Sequence, residues 1–381
     1  MKAEVITDWE PLKLLGTEWN ALLQRSRANS IFLTWEWMEA WHGAAGQCVE
    51  PVVIAVRDPH GALVGLAPFY RAELRLLGLL SYRVLRMLGD HHSGAEYPDW
   101  ILAPECEQEA AQAILGALLA VSPGWDCLWI PRLAGWTGAY ERIVVTCSAH
   151  GLHCRQRACE FSATALPEDS SSYVRSLSRN ARSALKRQNQ QVFSSPSATF
   201  EQCRSVAELP AYLDALVDLN HRRWSATGQV GTFVRKPLEQ RFYRLFGPRA
   251  LERGWLRLFA IRMNGRFAAV QVGYAYNQSF LQLQEGFDPE GPPGLGNVLR
   301  GKVIERCIRE GIRQYDFLGG HTEHKRRWLA NPRNGHDLLI SRRCFRNGPL
   351  ISLPLWPTGR YLREAGLPAP EDPPAGFEVD R

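Results

Sequence analysis

The stretch Ser279–Trp328 reads SFLQLQEGFDPEGPPGLGNVLRGKVIERCIREGIRQYDFLGGHTEHKRRW, and its punctuation sets the fold class. Leu281, Leu283, Glu285 and Phe287 recur with a period of two, the spacing of one face of a β-strand. Asp288-Pro289, Gly291, Pro292-Pro293, Gly294 and Gly296 then forbid that strand to continue, so a loop must follow. Asn297 is suited to cap a helix in which Leu299, Val303, Ile304, Cys307 and Ile308 form an apolar stripe. Gly311 stands where a helix C-terminus takes a left-handed residue. Arg313 to Leu318 reads as a short second strand closed by Gly319-Gly320. A glycine-rich turn from strand to helix leaves unpaired N–H groups at the positive end of a helix dipole, which suits a phosphate. A tight connection without a ligand is the plain alternative. The spacing of Gly291, Gly294 and Gly296 is not the dinucleotide fingerprint, and no P-loop occurs.

The chain has 381 residues, and single cores stop growing at roughly 250 to 300 residues, so two units are expected. A hydrophobic fraction of 45% and a charged fraction of 22% are those of a globular protein. The excess of 45 basic over 39 acidic residues, a net +6, is compatible with a phosphorylated cofactor, nucleic acid or an anionic glycan and selects none of them. The N-terminus lacks the unbroken apolar region of a secretory signal, and no later run reaches membrane-spanning length. With nine cysteines and no CxxC pair, the expectation is a cytoplasmic protein. Cys147, His150, His153 and Cys154 do not have the spacing of a zinc finger, and no metal is expected.

In the first half, Leu33, Trp37 and Trp41 form an aromatic helix face of the kind that builds a core. Residues from Val52 alternate around the turn Asp58-Pro59-His60-Gly61, giving a hairpin. A strand near Val84–Leu88, a helix from Cys106 to Val121 and a strand at Cys127–Ile130 follow. The loop between them offers His91, His92, Glu96 and Asp99, which could line a pocket or ligate a metal, with capping of the loop as the plain alternative. IAVRDPHGALVGLAPFY from Ile54 is echoed by FAIRMNGRFAAVQVGY from Phe259, which suggests a duplicated module. Between the halves, Ser170 to Val192 contains no acidic residue. Arg175, Arg179, Arg182 and Lys186 recur there on one helical face, a basic ridge suited to an anion or to solvent.

The segments FLTWEWMEAW, SLSRNARSALKR, HRRWSATGQVGTF, GLGNVL and YDFLGGHTEHKRRW, in this order, resemble the GNAT-type acyltransferases. The narrower resemblance is to the acetyltransferase-like family associated with bacterial cellulose and exopolysaccharide biosynthesis, itself similar to the FemAB-type transferases with two GNAT-like units. The resemblance implies an α/β fold of layered α+β character, with two tandem units of mixed, mostly antiparallel sheet flanked by helices. These are expected at 1–165 and 166–350, with a Pro-rich tail at 351–381. It also implies an acyl thioester bound where two strands splay apart, its pyrophosphate on the amides of Gly294, Leu295, Gly296 and Asn297. At the place three residues before the first glycine of that turn the family carries Gln or Arg, and this chain has Gly291. No tyrosine after Gly320 matches the family's general acid.

Acyl transfer to nitrogen needs a neutral amine, and at pH 7 an alkylamine of pKa near 10.4 is neutral in only roughly one molecule in a few thousand. A base is therefore expected. Glu285, whose pKa partial burial would raise, and Asp316 are the rival candidates, with His321 and His324 as relays and an arginine-paired Glu285 as the alternative. Lys325 and Trp328, and His221, Arg223 and Trp224, are candidate acceptor-binding residues, while Arg326 and Arg327 flank the first pair. The expected activity moves a non-aminoacyl group from acetyl-CoA or another acyl-CoA to an amine of a small molecule or envelope precursor, possible partners being polysaccharide-biosynthesis proteins. The alternatives are transfer from aminoacyl-tRNA and a catalytically silent module that binds an anionic glycan or a partner.

Overall fold

A computed structural model describes residues 1–45, 49–90, 93–121, 124–357 and 361–364. His91, His92 and most of the 351–381 tail lie outside these residues. The chain divides into two compact units, Met1–His91 with Tyr97–Ala158 and His336–Arg381, and Cys159–Gly335 with the short segment His92–Glu96. Residues from 336 onward are thus counted with the first unit, where the sequence suggested the second as far as 350.

In the first unit β1 (Lys2–Ile6), α1 (Trp9–Leu14), α2 (Gly16–Arg25) and α3 (Trp35–Ala45) precede the hairpin of β2 (Pro51–Arg57) and β3 (Leu63–Leu76). Asp58 makes that turn by accepting the amides of His60 and Ala62, both at 2.9 Å. β4 (Leu80–Met87), β5 (Ile101–Leu102), α4 (Glu107–Ala120), β6 (Cys127–Ala134) and α5 (Ala139–Ala149) follow. β1 to β4 pair antiparallel in sequence, and β4 runs parallel to β6 across the crossover helix α4. Leu33, Trp37 and Trp41 are buried, as the aromatic face predicted.

The second unit repeats the order. The end of β7 (His153–Ala165) leads into α6 (Ser170–Ser176), α7 (Arg179–Val192), β8 (Thr199–Gln202), α8 (Leu209–Ser225), α9 (Thr232–Arg235) and α10 (Pro237–Glu252). Then come β9 (Leu256–Met263), β10 (Arg266–Tyr276), β11 (Ser279–Phe287), α11 (Leu295–Arg309), β12 (Gln314–Gly319), α12 (Glu323–Arg326) and β13 (Asn331–Ser341). β8 to β11 pair antiparallel, β11 runs parallel to β12 across α11, and β12 pairs antiparallel with β7. This mixed sheet flanked by helices is the architecture expected. Val298, Leu299, Val303, Ile304, Cys307 and Ile308 of α11 pack with Phe280, Tyr315 and Trp328 in one core.

Two local expectations are corrected. Asn297 does not cap α11: Gly294 does, at φ 82°. Only glycine reaches that left-handed backbone without strain, so the chain turns there and starts the helix earlier. The basic helix is also broken, because Leu177 is extended and the Ser178 hydroxyl accepts the Ala181 amide at 3.2 Å, starting α7 afresh. Arg175 therefore belongs to α6.

Helix α8 crosses β11 at a residue without a side chain. A Cβ on Gly286 would stand 2.5 Å from the Asn220 backbone nitrogen, and neither backbone can give way cheaply. Gly286→Ala should cost about 1–3 kcal/mol, read as a lowered urea midpoint; a change within about 0.5 kcal/mol would show that the crossing is loose.

Candidate active site

Parallel pairing of β11 with β12 covers only Ser279–Leu281 against Gln314–Asp316, although both strands continue. Beyond that point they part, and β11 bulges. Gln282 faces Gly273 while Gln284 faces Val272, so Leu283 has no partner on β10. Gly273 makes room for the bulge, since a Cβ there would strike the Leu281 carbonyl and the Phe280 ring. One extra residue inverts the alternation of a strand. Leu281, Leu283, Glu285 and Phe287 therefore do not share one face as expected. Glu285 instead joins Gln282, whose Nε2 donates to it at 3.2 Å, while Gln284 reaches Glu239 of α10 at 3.0 Å.

Glu285 is the centre of a polar cluster in the opening. Its Oε2 accepts Arg300 of α11 at 2.5 Å and Gln271 at 3.3 Å, and its Oε1 accepts Arg223 of α8 at 3.2 Å. Arg300 also donates to Nε2 of His324 at 2.9 Å, which makes that ring a neutral acceptor. Burial and then Arg300 push the His324 pKa down. Above them the buried Tyr315 hydroxyl donates toward Gln282 at 2.9 Å and Gln271 at 3.2 Å. The expectation that burial would raise the Glu285 pKa is overturned. Burial does push it up, but Arg300 and then Arg223 outweigh that and hold the carboxyl below its usual value. A carboxylate so paired is a poor proton acceptor.

The rival base is engaged as well. Asp316 accepts the Leu318 amide at 2.8 Å, supporting a left-handed Leu318 at φ 58°, and lies 3.5 Å from Arg333. Lys325 turns away from solvent anions: its Nζ donates to the carbonyls of Phe317 at 2.9 Å, Leu318 at 3.3 Å and Gly320 at 3.0 Å, and also to Gly319. Nδ1 of His321 meets the Ser162 hydroxyl at 2.9 Å, and that hydroxyl donates to the Gly320 carbonyl. Trp328 is buried in the core, with Arg300 over its ring at 5.7 Å. Of His221, Arg223 and Trp224, only Arg223 reaches Glu285, also lying over the Phe287 ring at 4.5 Å; His221 is exposed.

The mouth of α11 is occupied. A Cβ on Gly294 would fall on the side-chain amide of Gln188 from α7, and Nδ2 of Asn297 lies 3.5 Å from Oε1 of the same residue. The Leu295 amide already bonds the Pro292 carbonyl at 3.2 Å. The cradle expected from Gly294, Leu295, Gly296 and Asn297 is therefore covered by a side chain. On α6 and α7, Arg175, Arg179 and Lys186 are exposed and Arg182 half-buried. None of the four forms a salt bridge among the described residues, although Asp169 feels the charge of Arg175; Arg175 donates to Ser172 and Arg182 to the Arg175 carbonyl.

On the α10 side of β11 lies a group that sequence reasoning missed. Glu239 is buried, and its Oε1 accepts Tyr243 at 3.2 Å and Gln284 at 3.0 Å. Its Oε2 has no hydrogen-bond partner among the described residues, and burial pushes its carboxyl above the usual value. Glu96, singled out in a loop, accepts the Gly319 amide at 3.2 Å. Asp99 lies in the first unit, where burial raises its carboxyl to about 7 against the pull of Arg142 at 3.6 Å. Arg300 could have been found from its spacing, because it sits on the stripe of Val303, Ile304 and Cys307. Gln188 and Glu239 carry no such signal. Among the described residues no group of three His, Cys, Asp or Glu is placed to hold a metal ion.

Residues 179–326 match the model of the acetyltransferase (GNAT) domain. The chain is similar in structure to FemX, with a TM-score of 0.62, 12% identity, and coverage of 89% of this chain and 97% of that one. It is similar to a tandem GNAT protein from the clavulanic acid biosynthesis pathway, at TM-score 0.50 and 11% identity over 89% and 98%. The C-terminal domain of a putative lysylphosphatidylglycerol synthetase from Agrobacterium fabrum gives TM-score 0.50 and 11% identity over 87% and 92%. At such identities the likeness is one of fold. A comparison with curated proteins gives no match.

Glu285→Gln leaves the buried Arg300 without its counter-charge, which should cost about 3–5 kcal/mol, seen as a lower denaturant midpoint at neutral pH. Because the folded pKa lies below the ordinary 4.5, the carboxylate stabilises above that pH and the contribution is lost as pH falls through the folded value. Stability of the natural chain should therefore drop more steeply below pH 4.5 than that of the variant. Parallel curves would show that the pair contributes nothing.

Proposed function

We propose that the second unit moves an acyl group from an acyl-CoA to an amine, in the opening between β11 and β12. The observation that carries this reading is the end of parallel pairing at Leu281 and Asp316, followed by a bulge and a cluster of polar side chains inside a sheet. A carbonyl placed there would meet hydrogen-bond donors already held in position, the arrangement that stabilises a developing oxyanion. The amine lone pair forms the C–N bond, the C–S bond breaks, the amine proton goes to a base and the thiolate takes a proton. Glu239 replaces Glu285 as the candidate base, since burial raises its affinity for a proton against the weaker pull of Lys236 and Arg235. Tyr315, kept a neutral phenol by burial, is the candidate acid. Amides at the start of α11 would take the diphosphate once the Gln188 side chain withdraws.

The motifs of the resemblance support an acceptor among small-molecule or envelope-precursor amines and a place in exopolysaccharide biosynthesis. The nine cysteines of the sequence include no CxxC pair, which supports a reducing compartment and hence the cytoplasm. No helix among the described residues is long and apolar enough to cross a membrane. A second reading, transfer from aminoacyl-tRNA, is favoured by the cluster of cations on α6 and α7, Arg175, Arg179, Arg182 and Lys186, which form no salt bridge among the described residues. It requires binding of tRNA that weakens steeply with salt.

Thermal shift against acetyl-CoA and longer acyl-CoAs tests the first reading. A ligand at a hundred times its dissociation constant stabilises by about 2.7 kcal/mol, and Gln188→Ala should tighten the binding by removing a side chain that must move. No shift with any thioester, in either protein, would sink the acyl-CoA reading. With amine acceptors and thiol release as readout, Glu239→Gln should lower kcat by about 10²–10⁴ and leave the thioester shift intact. Unchanged turnover would remove Glu239 from the chemistry.

A further inference from the structure

We propose a second ligand site in this unit, apart from the strand opening: a cavity between α6, α7 and α11 that takes the hydrocarbon chain of a fatty-acid carboxylate. The cavity has a volume of about 410 Å³, within the roughly 300–1,000 Å³ of small-molecule sites. Its apolar wall is built by Val174, Leu185, Val298, Ile304, Ile308 and Trp328. Five of the six are aliphatic, which suits a chain better than a nucleobase.

Positive charge prevails around the cavity. Arg175 and Lys302 line it, and the one carboxylate in the lining, Glu305, is shared at 3.3 Å by Lys302 and by Arg309. Arg175 forms no salt bridge among the described residues, although Asp169 at the start of α6 feels its charge, and Arg179, Arg182 and Lys186 extend the positive field along α7. An anionic head group is attracted to such a rim and a cationic one repelled. A third feature points to a ligand. Asn189 lines the cavity, and its Oδ1 is buried without a hydrogen-bond partner among the described residues. An unsatisfied buried amide is costly, and this one can turn over to offer its Nδ2–H groups to a carboxylate. The wall holds the chain, Arg175 and Asn189 hold the head, and no bond is made or broken.

Isothermal titration of the full chain with hexanoate, octanoate, decanoate and dodecanoate, each below its micellar concentration, tests the site. Saturable one-to-one binding is expected, tightening about fourfold per methylene until the cavity is full. Decanoate should bind about tenfold more weakly to Arg175→Gln/Lys302→Gln, whose melting temperature should fall only slightly, because Arg175 is exposed and the half-buried Lys302 gives up a single pair with Glu305. Val174→Trp, at a half-exposed position of the wall, should abolish binding without disturbing the core. Decyltrimethylammonium should not bind. The proposal is overturned by no saturable decanoate binding, by equal binding of the cationic amphiphile, or by unchanged affinity in both variants. The assay contains no thioester, so its failure leaves the acyl-transfer reading where it stood.

Discussion

A parallel ladder that stops inside a sheet leaves backbone N–H and C=O groups that must find other partners. The second unit is arranged around that requirement. Once β12 parts from β11 after Asp316, the Leu318 amide turns to the Asp316 carboxylate, the Gly319 amide to Glu96, and the carbonyls of Phe317 to Gly320 to Lys325. Side chains whose types suggest chemistry are thus first of all repairing an interrupted strand. What they leave behind is an opening whose walls are polar yet held in place, and this makes it suited to bind a reacting carbonyl.

Electrostatics reinforce the same geometry. Arg300 is buried on an otherwise apolar helix face and would be intolerable there without Glu285, so helix and strand are locked in one register by a pair neither can abandon. Arg223 and His324 complete the shell. The two sides of β11 then differ in the direction of their proton affinity: the α11 side carries a carboxylate held ionised by cations, while the α10 side carries Glu239, whose burial outweighs the pull of Lys236 and Arg235. Groups pushed apart in this way are what acid and base roles require.

Much of this fold was legible in the sequence. The strand, loop and helix of 279–309, the left-handed Gly311 at the helix end, the Asp58 hairpin and its echo near Phe259 all follow from local patterns that tertiary structure did not override. The bulge at Leu283 was not legible, because the residue that permits it, Gly273, sits on a neighbouring strand. Asn297 was a plausible cap by type, but Gly294 won by backbone conformation, and Ser178 divided a helix that periodicity alone would run through. The candidate site was legible only as a location. Glu285 and Asp316 were found, but their partners come from α8, α11 and β13, and a carboxylate's proton affinity depends on partners that one strand's sequence does not contain. Gln188 and Glu239 lie in helices whose patterns look ordinary.

The grip on Lys325 has a chemical corollary. An ammonium encircled by main-chain carbonyls is denied the lone pair that electrophiles seek, so amine-directed labels would find this side chain slow to react while the end of β12 stays intact. Its acylation would mark the moment that strand end comes loose, a probe of local opening built into the chain.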